Sequence, residues 1–208
     1  MRMTVAAITD PMGAADRITA QFAFLNEADR LKSVLRGTTL NDGSRRENSA
    51  EHSWHIMLYA AVMAEHAVRP VALDRVIRML LLHDIVEIDA GDTPIHGAHD
   101  AGAQAEAEAR AAERIFGLLP PDQAEAFRAL WDEFEAAETD DAIFAKAIDR
   151  VQPVMSNLES GGGTWPEYNV TAAQLDARVG VKVRRGAPAI WDMLKSRIDA
   201  WFDRAAQD

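Results

Sequence analysis

Cysteine is absent from the 208-residue chain, which excludes disulfide bonds, thiol nucleophiles and zinc sites built from thiolates. Any bound metal ion must therefore be held by nitrogen and oxygen ligands. No apolar run reaches the about 20 residues that a membrane-spanning helix needs. The residues up to Gly13 also lack the basic start and apolar stretch of a secretory signal. We expect a cytoplasmic protein with no membrane partner.

Positive charge is also scarce, because 22 lysines and arginines face 33 aspartates and glutamates, for a formal net charge of −11. That balance opposes binding to a nucleic acid backbone, so we expect no nucleic acid duplex as a partner. A few local arginines can still bind a small phosphorylated ligand on an acidic protein. Arg36, Arg45 and Arg46 form such a group.

Apolar residues recur at helical spacing through most of the chain, and the apolar share of 48% is that of an ordinary globular protein. The pattern predicts helices over residues 15–35, 49–69, 73–88, 101–116, 121–138, 140–158 and 188–205, with a further short helix after Thr171. Asn48 or Ser49 can cap the second of these helices. Gly161, Gly162 and Gly163 end the helix over 140–158.

Residues 36–48 contain turn formers such as Asn41, Gly43 and Ser44, and they are predicted to form a loop that carries the three arginines. We find no convincing strand pairs and no internal repeats. The fold is therefore predicted to be all-α, as one domain over residues 1–208. Its core is expected at about 15–163, with a C-terminal helical extension over 164–208.

Three helical segments carry metal-ligand residue types where apolar side chains are expected: residues 50–55 with His52 and His55, residues 83–87 with His83, Asp84 and Glu87, and residues 147–150 with Asp149. His83 and Asp84 are adjacent, about 100° apart around a helix, so both can reach one cation beside it. Glu87 returns to the same flank one turn later. One helix could thus present two ligands and an acid/base group.

Each candidate ligand has a structural alternative. An isolated His-Asp pair is more often a core histidine held by its neighbour than a metal site. Either His52 or His55 can pack in the core while the other faces water, and Asp149 can form an ion pair with an arginine. The position of Asp84 after a very apolar helix favours a cation, because a buried unpaired carboxylate costs several kcal/mol.

The ordered set His52, His83-Asp84 and Asp149 resembles the H…HD…D pattern of the HD-domain superfamily, helical proteins that mostly hydrolyse phosphate esters. Two longer strings are similar to the branch that includes the 5′-deoxynucleotidases and the related HD-domain-containing protein 2 group. These strings are RENSAEHS from Arg46 and HDIVEIDAGDTP from His83. The likeness extends from about Ile18 to Gly163.

The resemblance implies a single HD domain and a set of site residues. The metal ligands would be His52, His83, Asp84 and Asp149, the acid/base or water-orienting groups Glu87 and Asp92, and the substrate contacts Arg36, Thr93 and Arg46. His55 is then not a ligand. Two imidazoles and two carboxylates suit a divalent cation: Mn²⁺, Co²⁺, Fe²⁺, Zn²⁺ or Mg²⁺. A homodimer is also implied, with Trp165 or Trp201 as candidate contacts.

The predicted function is a metal-dependent phosphohydrolase that releases inorganic phosphate from nucleoside 5′-monophosphates, as a 5′-deoxynucleotidase. One departure concerns the sugar: the deoxynucleotidases have a tryptophan after the arginine that matches Arg36, whereas this chain has Gly37. Two alternatives stay open. The chain could be an HD-type nucleotide-binding or regulatory protein without turnover, or a phosphohydrolase of triphosphates or signalling nucleotides.

Overall fold

The computed structural model describes residues 12–97 and 100–207. Most of these residues lie in helices, as predicted. The helices are α1 (Ala14–Ala28), α2 (Ser49–Met63), α3 (Leu73–Leu82), α4 (Glu87–Ala90), α5 (Ala101–Phe116), α6 (Pro121–Ala136), α7 (Asp140–Glu159), α8 (Thr164–Glu167), α9 (Ala172–Leu175), α10 (Val181–Gly186) and α11 (Pro188–Ala205). Short 3₁₀ turns occupy Asp29–Ser33 and Ala64–His66, and a π-helical turn joins α9 to α10.

Side-chain caps explain where several helices begin. The Asn48 side chain accepts a hydrogen bond from the Glu51 N–H, and the Glu51 carboxylate accepts one from the Asn48 N–H, so a capping box starts α2. Thr171 and Gln174 form a second capping box at α9. The predicted caps at these two places are confirmed. Each cap satisfies amide groups that the first turn of a helix leaves unpaired.

The core is built around α3 and α7. Val76, Met79 and Leu80 of α3 and Ile148 and Val151 of α7 are buried. Each such side chain stabilises the fold by about 1.5–3 kcal/mol relative to an exposed one. Because α7 contacts α2, α3, α6, α10 and α11, it lies at the centre of the helices.

Helix α10 approaches α7 closely at a glycine. A Cβ atom on Gly186 would lie 2.6 Å from the carbonyl oxygen of Ile143 and 2.8 Å from Cβ of Ala147. Any larger residue would push α10 away from α7. The glycine therefore lets the side chains of α10 reach the neighbourhood of Asp149, which lies further along α7.

The prediction of a loop without strands over residues 36–48 is wrong. Strand β1 (Leu35–Thr39) pairs antiparallel with β2 (Arg46–Asn48), with Leu35 opposite Asn48 and an irregular register before Thr39. The strands are short and polar and show no alternation of apolar residues. The hairpin that the two strands form is stabilised instead by contacts of β1 with α7 and α8.

Three predicted helices end earlier than expected, and one of them is α2, which stops at Met63 instead of residue 69. Helix α3 stops at Leu82 instead of Ile88, because the chain changes to turns in which the Ile85 N–H bonds to the Leu82 carbonyl and the Glu87 N–H to the Asp84 carbonyl. His83 and Asp84 therefore lie directly after α3. The first helix ends at Ala28, well before Leu35.

The predicted apolar stripe of the first helix faces outwards. Ile18, Phe22 and Leu25 are exposed, whereas Phe24 and Arg17 are buried. Phe24 packs against Phe116 and Phe127. Spacing alone could not identify the buried side of α1, because apolar residues occur on both sides.

The tryptophans differ in exposure. Trp165 is buried and contacts Trp201 and Phe202. It cannot contact a second subunit as expected, whereas Trp201 is partly exposed. Within the described residues, no helix has both the length and the apolar character required to cross a membrane.

Candidate metal centre

Three elements bring the predicted ligands together. Helix α2 carries His52, the turn after α3 carries His83, and α7 carries Asp149. All three side chains are buried, and each offers one ligand atom that lies within 4.8 Å of the other two. The structure thus gathers residues that are distant in the sequence into a group with the composition of a metal site. We call His52, His83 and Asp149 the metal group.

The two imidazole rings direct equivalent nitrogens to this group. Nδ1 of His83 donates to the carbonyl oxygen of Leu80 at 2.9 Å, which leaves Nε2 without a hydrogen in the neutral ring. Nδ1 of His52 lies 2.8 Å from Oε1 of Gln152, and its Nε2 lies 3.1 Å from Oδ1 of Asp149. Nε2 of His83 is 3.7 Å from the same oxygen.

Asp84 borders the group and has a second partner. Its Oδ1 lies 2.9 Å from Nε2 of His83 and its Oδ2 lies 4.0 Å from Nε2 of His52. Oδ2 also accepts a hydrogen bond from Nη1 of Arg36 at 2.6 Å. The fourth predicted ligand is therefore close to the other three and is held by an arginine.

The donor set fits a divalent cation. Nε2 of His83 is buried and makes no hydrogen bond within the described residues, which is unusual for a buried polar atom. Two imidazole nitrogens and two carboxylates are common ligands of Mn²⁺, Fe²⁺, Co²⁺ and Zn²⁺. A cation among them would satisfy that nitrogen and balance the two buried carboxylates.

The charges around the group favour positive charge at its centre. Burial and Arg36 oppose protonation of His52, but its contacts with Asp149, Glu47 and Asp84 outweigh them and raise its pKa to about 9. Burial opposes ionisation of Asp149, but Arg150 and the two histidines hold the pKa of this carboxyl well below its usual range. The site is therefore electrostatically suited to a cation.

Glu87 lies beside the metal group and differs from the other carboxyls. Burial, and then the charge of Asp84 and that of Asp92, raise the pKa of Glu87 well above its usual value. Its Oε2 accepts a hydrogen bond from the Ser49 hydroxyl at 2.5 Å, and its Oε1 lies 3.5 Å from Nη1 of Arg36. This side chain can hold a proton next to the site.

Arg36 is enclosed by carboxylates. Its side chain is 10% exposed, and besides Asp84 its nitrogens lie 3.5 Å from Glu87, 3.6 Å from Asp92 and 3.9 Å from Glu47. Asp92 in turn accepts a hydrogen bond from the Gly37 N–H at 3.1 Å. Arg36 thus links the metal group to both predicted acid/base residues.

The other arginines of the hairpin lie elsewhere. Arg46 donates to the carbonyl oxygen of Gly37 and to the Glu167 carboxylate, at 2.9 and 3.0 Å for the latter. Arg45 pairs with Glu51. The structure does not bring either guanidinium into contact with the metal group.

Two cavities meet at the site. The charged cavity contains His83, Asp84, Glu87 and Asp149, with further lining from Gln104, Glu108, Glu135, Lys146 and Lys182. The aromatic cavity is lined by His96, Trp165 and Tyr168 with Pro94, Pro153 and Leu175. They share a wall formed by Arg36, Asp92, Thr93, Ile95 and Arg150. Predicted substrate contacts Arg36 and Thr93 therefore face both cavities, whereas Arg46 lines neither.

Two side chains that hold His52, those of Gln152 and Glu47, were not predicted from the sequence. Gln152 accepts from the His52 ring and donates to Oε1 of Glu47 at 3.0 Å, and Glu47 is buried with its Oε2 3.6 Å from Nδ1 of His52. Gln152 lies one turn after Asp149, so its spacing places it on the same side of α7. No local pattern indicates the role of Glu47.

His55 does not belong to the metal group. Its ring stacks on Trp54 and meets the edge of Tyr59. Burial lowers the pKa of His55, whereas the carboxylates around His52 raise that of His52. The choice between the two histidines that spacing left open is therefore decided by their surroundings.

Known proteins resemble this chain along most of its length. The HD domain family model matches residues 28–191. The crystal structure of a predicted metal-dependent phosphohydrolase from Magnetospirillum magnetotacticum superimposes with a TM-score of 0.85. It is 49% identical, over 91% of this chain and 97% of that one.

More distant relatives carry the names of nucleotidases. The 5′-deoxynucleotidase HDDC2 of Mus musculus is 27% identical over 137 residues, which are 65% of this chain and 67% of that protein. The human protein is also 27% identical, and its matched segment is 66% of its length. The 5′-deoxynucleotidase yfbR of Photorhabdus temperata is 28% identical over 74% of this chain and 81% of its own.

Proposed function

Because this chain belongs to the HD domain family and is a metal-dependent phosphohydrolase, we propose that it is a 5′-deoxynucleotidase, which releases inorganic phosphate from nucleoside 5′-monophosphates. The observation that carries this proposal is the shared wall of the two cavities. A charged cavity with a metal group suits a phosphate, and an adjoining cavity lined by aromatic rings suits part of a nucleoside.

We propose His52, His83, Asp84 and Asp149 as the ligands of the cation. When bound, a divalent cation neutralises charge on the phosphoryl oxygens and activates water for attack. Buried imidazoles whose Nδ1 atoms are already engaged can offer Nε2 without rearrangement. The identity of the cation stays a prediction among Mn²⁺, Co²⁺, Fe²⁺, Zn²⁺ and Mg²⁺.

Glu87 and Asp92 are the proposed proton carriers. The attacking water forms the new bond to phosphorus, and the bond from phosphorus to the 5′ oxygen breaks. Asp92 accepts the proton that the water loses, and Glu87, whose pKa is raised by burial and by the charge of Asp84, donates one to the departing 5′ oxygen. The products are a nucleoside and inorganic phosphate.

The aromatic cavity supports a nucleoside as the group that carries the phosphate. Nδ1 of His96 and Nε1 of Trp165 line it and are buried without hydrogen-bond partners in the described residues. Such atoms gain from a polar ligand that supplies the missing partners. With a volume of about 80 Å³, the cavity admits only part of a nucleoside.

Gly37 bears on the choice of sugar. It lines the aromatic cavity, and a Cβ atom there would lie 3.4 Å from Cγ of Pro94. A tryptophan at this position, as in the deoxynucleotidases that the chain resembles, would have to fit beside Pro94. We therefore expect the preference for deoxyribose to be weaker than that of enzymes with the tryptophan.

The test is a phosphate-release screen with purified protein. Paired ribo- and deoxyribonucleoside 5′-monophosphates, together with triphosphates and cyclic nucleotides, are offered with each candidate cation. Turnover of monophosphates supports the proposal, and turnover of only triphosphates or cyclic nucleotides contradicts it. Tight binding of monophosphates without release of inorganic phosphate would favour the alternative of a nucleotide-binding protein without turnover. His83→Ala and Asp149→Ala, with metal content measured, must lose both cation and activity if the ligands are assigned correctly.

Assembly and location stay predictions. The exposed apolar side chains Ile18, Phe22 and Leu25 of α1 support the expected homodimer, because adjacent apolar residues on a surface favour association. Light scattering with Phe22→Glu would test it. The expected cytoplasmic location and the absence of a nucleic acid duplex partner rest on the sequence alone.

A further inference from the structure

The charged cavity is lined by three positively charged side chains that have no role in the proposed mechanism. Arg150 follows Asp149 on α7, and Lys182 lies on α10. Lys146, one turn before Arg150 on α7, lines the same cavity. In a chain with a net charge of −11, this concentration of cations beside the metal group calls for an explanation.

Arg36 by itself leaves little positive charge for a phosphate. Its guanidinium is within 4.0 Å of carboxylates from Asp84, Glu87, Asp92 and Glu47. A nucleoside monophosphate brings close to two further negative charges at neutral pH. Cations that are less completely paired are needed to hold that group against the surrounding carboxylates.

Arg150 is less completely paired than Arg36. Four carboxylates surround Arg36, whereas the ion pair of Arg150 in the described part of the chain is with Asp149, whose carboxylate lies 3.5 Å from a buried Nε that makes no hydrogen bond. The side chain is 25% exposed, so it is open to a ligand in the cavity. Arg150 lies in the wall shared by both cavities. A nucleoside monophosphate that occupied both cavities would therefore lie against this wall.

The positive charges of Arg150 and Lys146 act on Lys182. Repulsion from Arg150, then burial and repulsion from Lys146, lower the pKa of Lys182 and outweigh the attraction of Asp149 and Glu135. Lys146 differs, because its ammonium donates to Glu135 at 2.9 Å and lies over the ring of Phe134. An anion between Arg150 and Lys182 would remove the repulsion between them.

We infer that Arg150 and Lys182 form a second phosphate clamp, which contacts the phosphoryl group of the substrate from α7 and α10. The guanidinium of Arg150 offers paired N–H donors that match phosphate oxygens, and Lys182, an exposed residue that lines the same cavity, supplies a second positive charge. The inference rests on the proposed function only in taking a phosphate as the bound group.

The test uses inorganic phosphate as the probe and the metal-loaded full chain. Isothermal titration calorimetry is expected to show binding weakened about ten-fold or more by Arg150→Met and about three-fold by Lys182→Met, because a hydrogen bond to a charged group is lost in each case. Arg150→Lys should recover part of the loss. Arg110→Met, which removes an exposed positive charge on α5, is the matched control and should bind as the wild type does.

Metal content is measured for every variant, since Arg150 adjoins Asp149. Phosphate affinity within about two-fold of wild type in both methionine variants overturns the inference. So does a wild type that binds no phosphate, or a loss of metal in Arg150→Met while Lys182→Met binds phosphate normally. Failure of the nucleotidase proposal is distinguishable, because it would appear as absent hydrolysis of monophosphates while phosphate binding still depends on Arg150 and Lys182.

Discussion

The charged and aromatic cavities share one wall but differ in what they can do. The charged cavity has a volume of about 290 Å³ and is lined by His83, Asp84, Glu87 and Asp149, whereas the aromatic cavity has a volume of about 80 Å³ and is lined by rings and prolines. Groups that move protons or hold a cation occur in the first. Outside the shared wall, which carries Asp92, the lining of the aromatic cavity can affect only which substrate is held. Substitutions that lower the rate of catalysis should therefore differ from substitutions that change which substrate is bound.

The largest expected effect that leaves the metal group intact is at Glu87. Glu87→Gln removes the proton carrier but keeps a similar shape, so kcat should fall by about 10²–10⁴ while metal content is unchanged. Steady-state kinetics and elemental analysis measure the two quantities. Glu108→Gln is the control, because Glu108 lines the same cavity but contacts Gln104 instead of the metal group. Equal losses in both variants would remove Glu87 from the mechanism.

A smaller effect is expected behind His52. Gln152→Leu removes the acceptor that orients the ring, so the affinity for metal should fall by about 10–100-fold. Competition with a chelator measures this affinity. Gln104→Leu changes an amide in the charged cavity that donates to Glu108, and it should leave metal affinity unchanged. If the affinity of Gln152→Leu equalled that of wild type, the contact would not support the metal.

The smallest effect is expected in the aromatic cavity. Tyr168→Leu removes a ring from its lining, so KM for a nucleoside monophosphate should rise by about five-fold, as expected for a weakened stacking contact. Inhibition by inorganic phosphate should not change, because phosphate does not reach the ring. Tyr59→Leu is the control, since Tyr59 on α2 lines neither cavity. A rise in the inhibition constant for phosphate equal to that in KM would show that the two cavities do not act separately.

Much of the fold could be predicted from the sequence. The caps of α2 and α9, the proline start of α6 and the limits of α5 and α11 follow from residues within four positions of each other. The hairpin over β1 and β2 could not be predicted, because its short polar strands are stabilised by contacts with distant helices. The early end of α3 was also missed, since the apolar pattern continues through Ile85 and Val86.

The candidate site was predictable in its residues more than in its contacts. His52, His83, Asp84 and Asp149 could be selected by residue type and by resemblance, and the structure places them side by side. Spacing could not distinguish His52 from His55, because both lie on α2. Surroundings do so, since His52 is enclosed by Glu47, Gln152 and Asp149.

The all-α class, most helix limits and the residue types available to bind a cation follow from the amino-acid sequence, because helix formation and capping depend on near neighbours in the chain. The folded structure was needed to show that Arg36 is enclosed by carboxylates, that Gln152 holds His52, and that Lys182 and Arg150 line the same cavity. Those contacts depend on how α2, α7, α10 and the hairpin pack together. Packing of elements far apart in the chain has no local signature in the sequence.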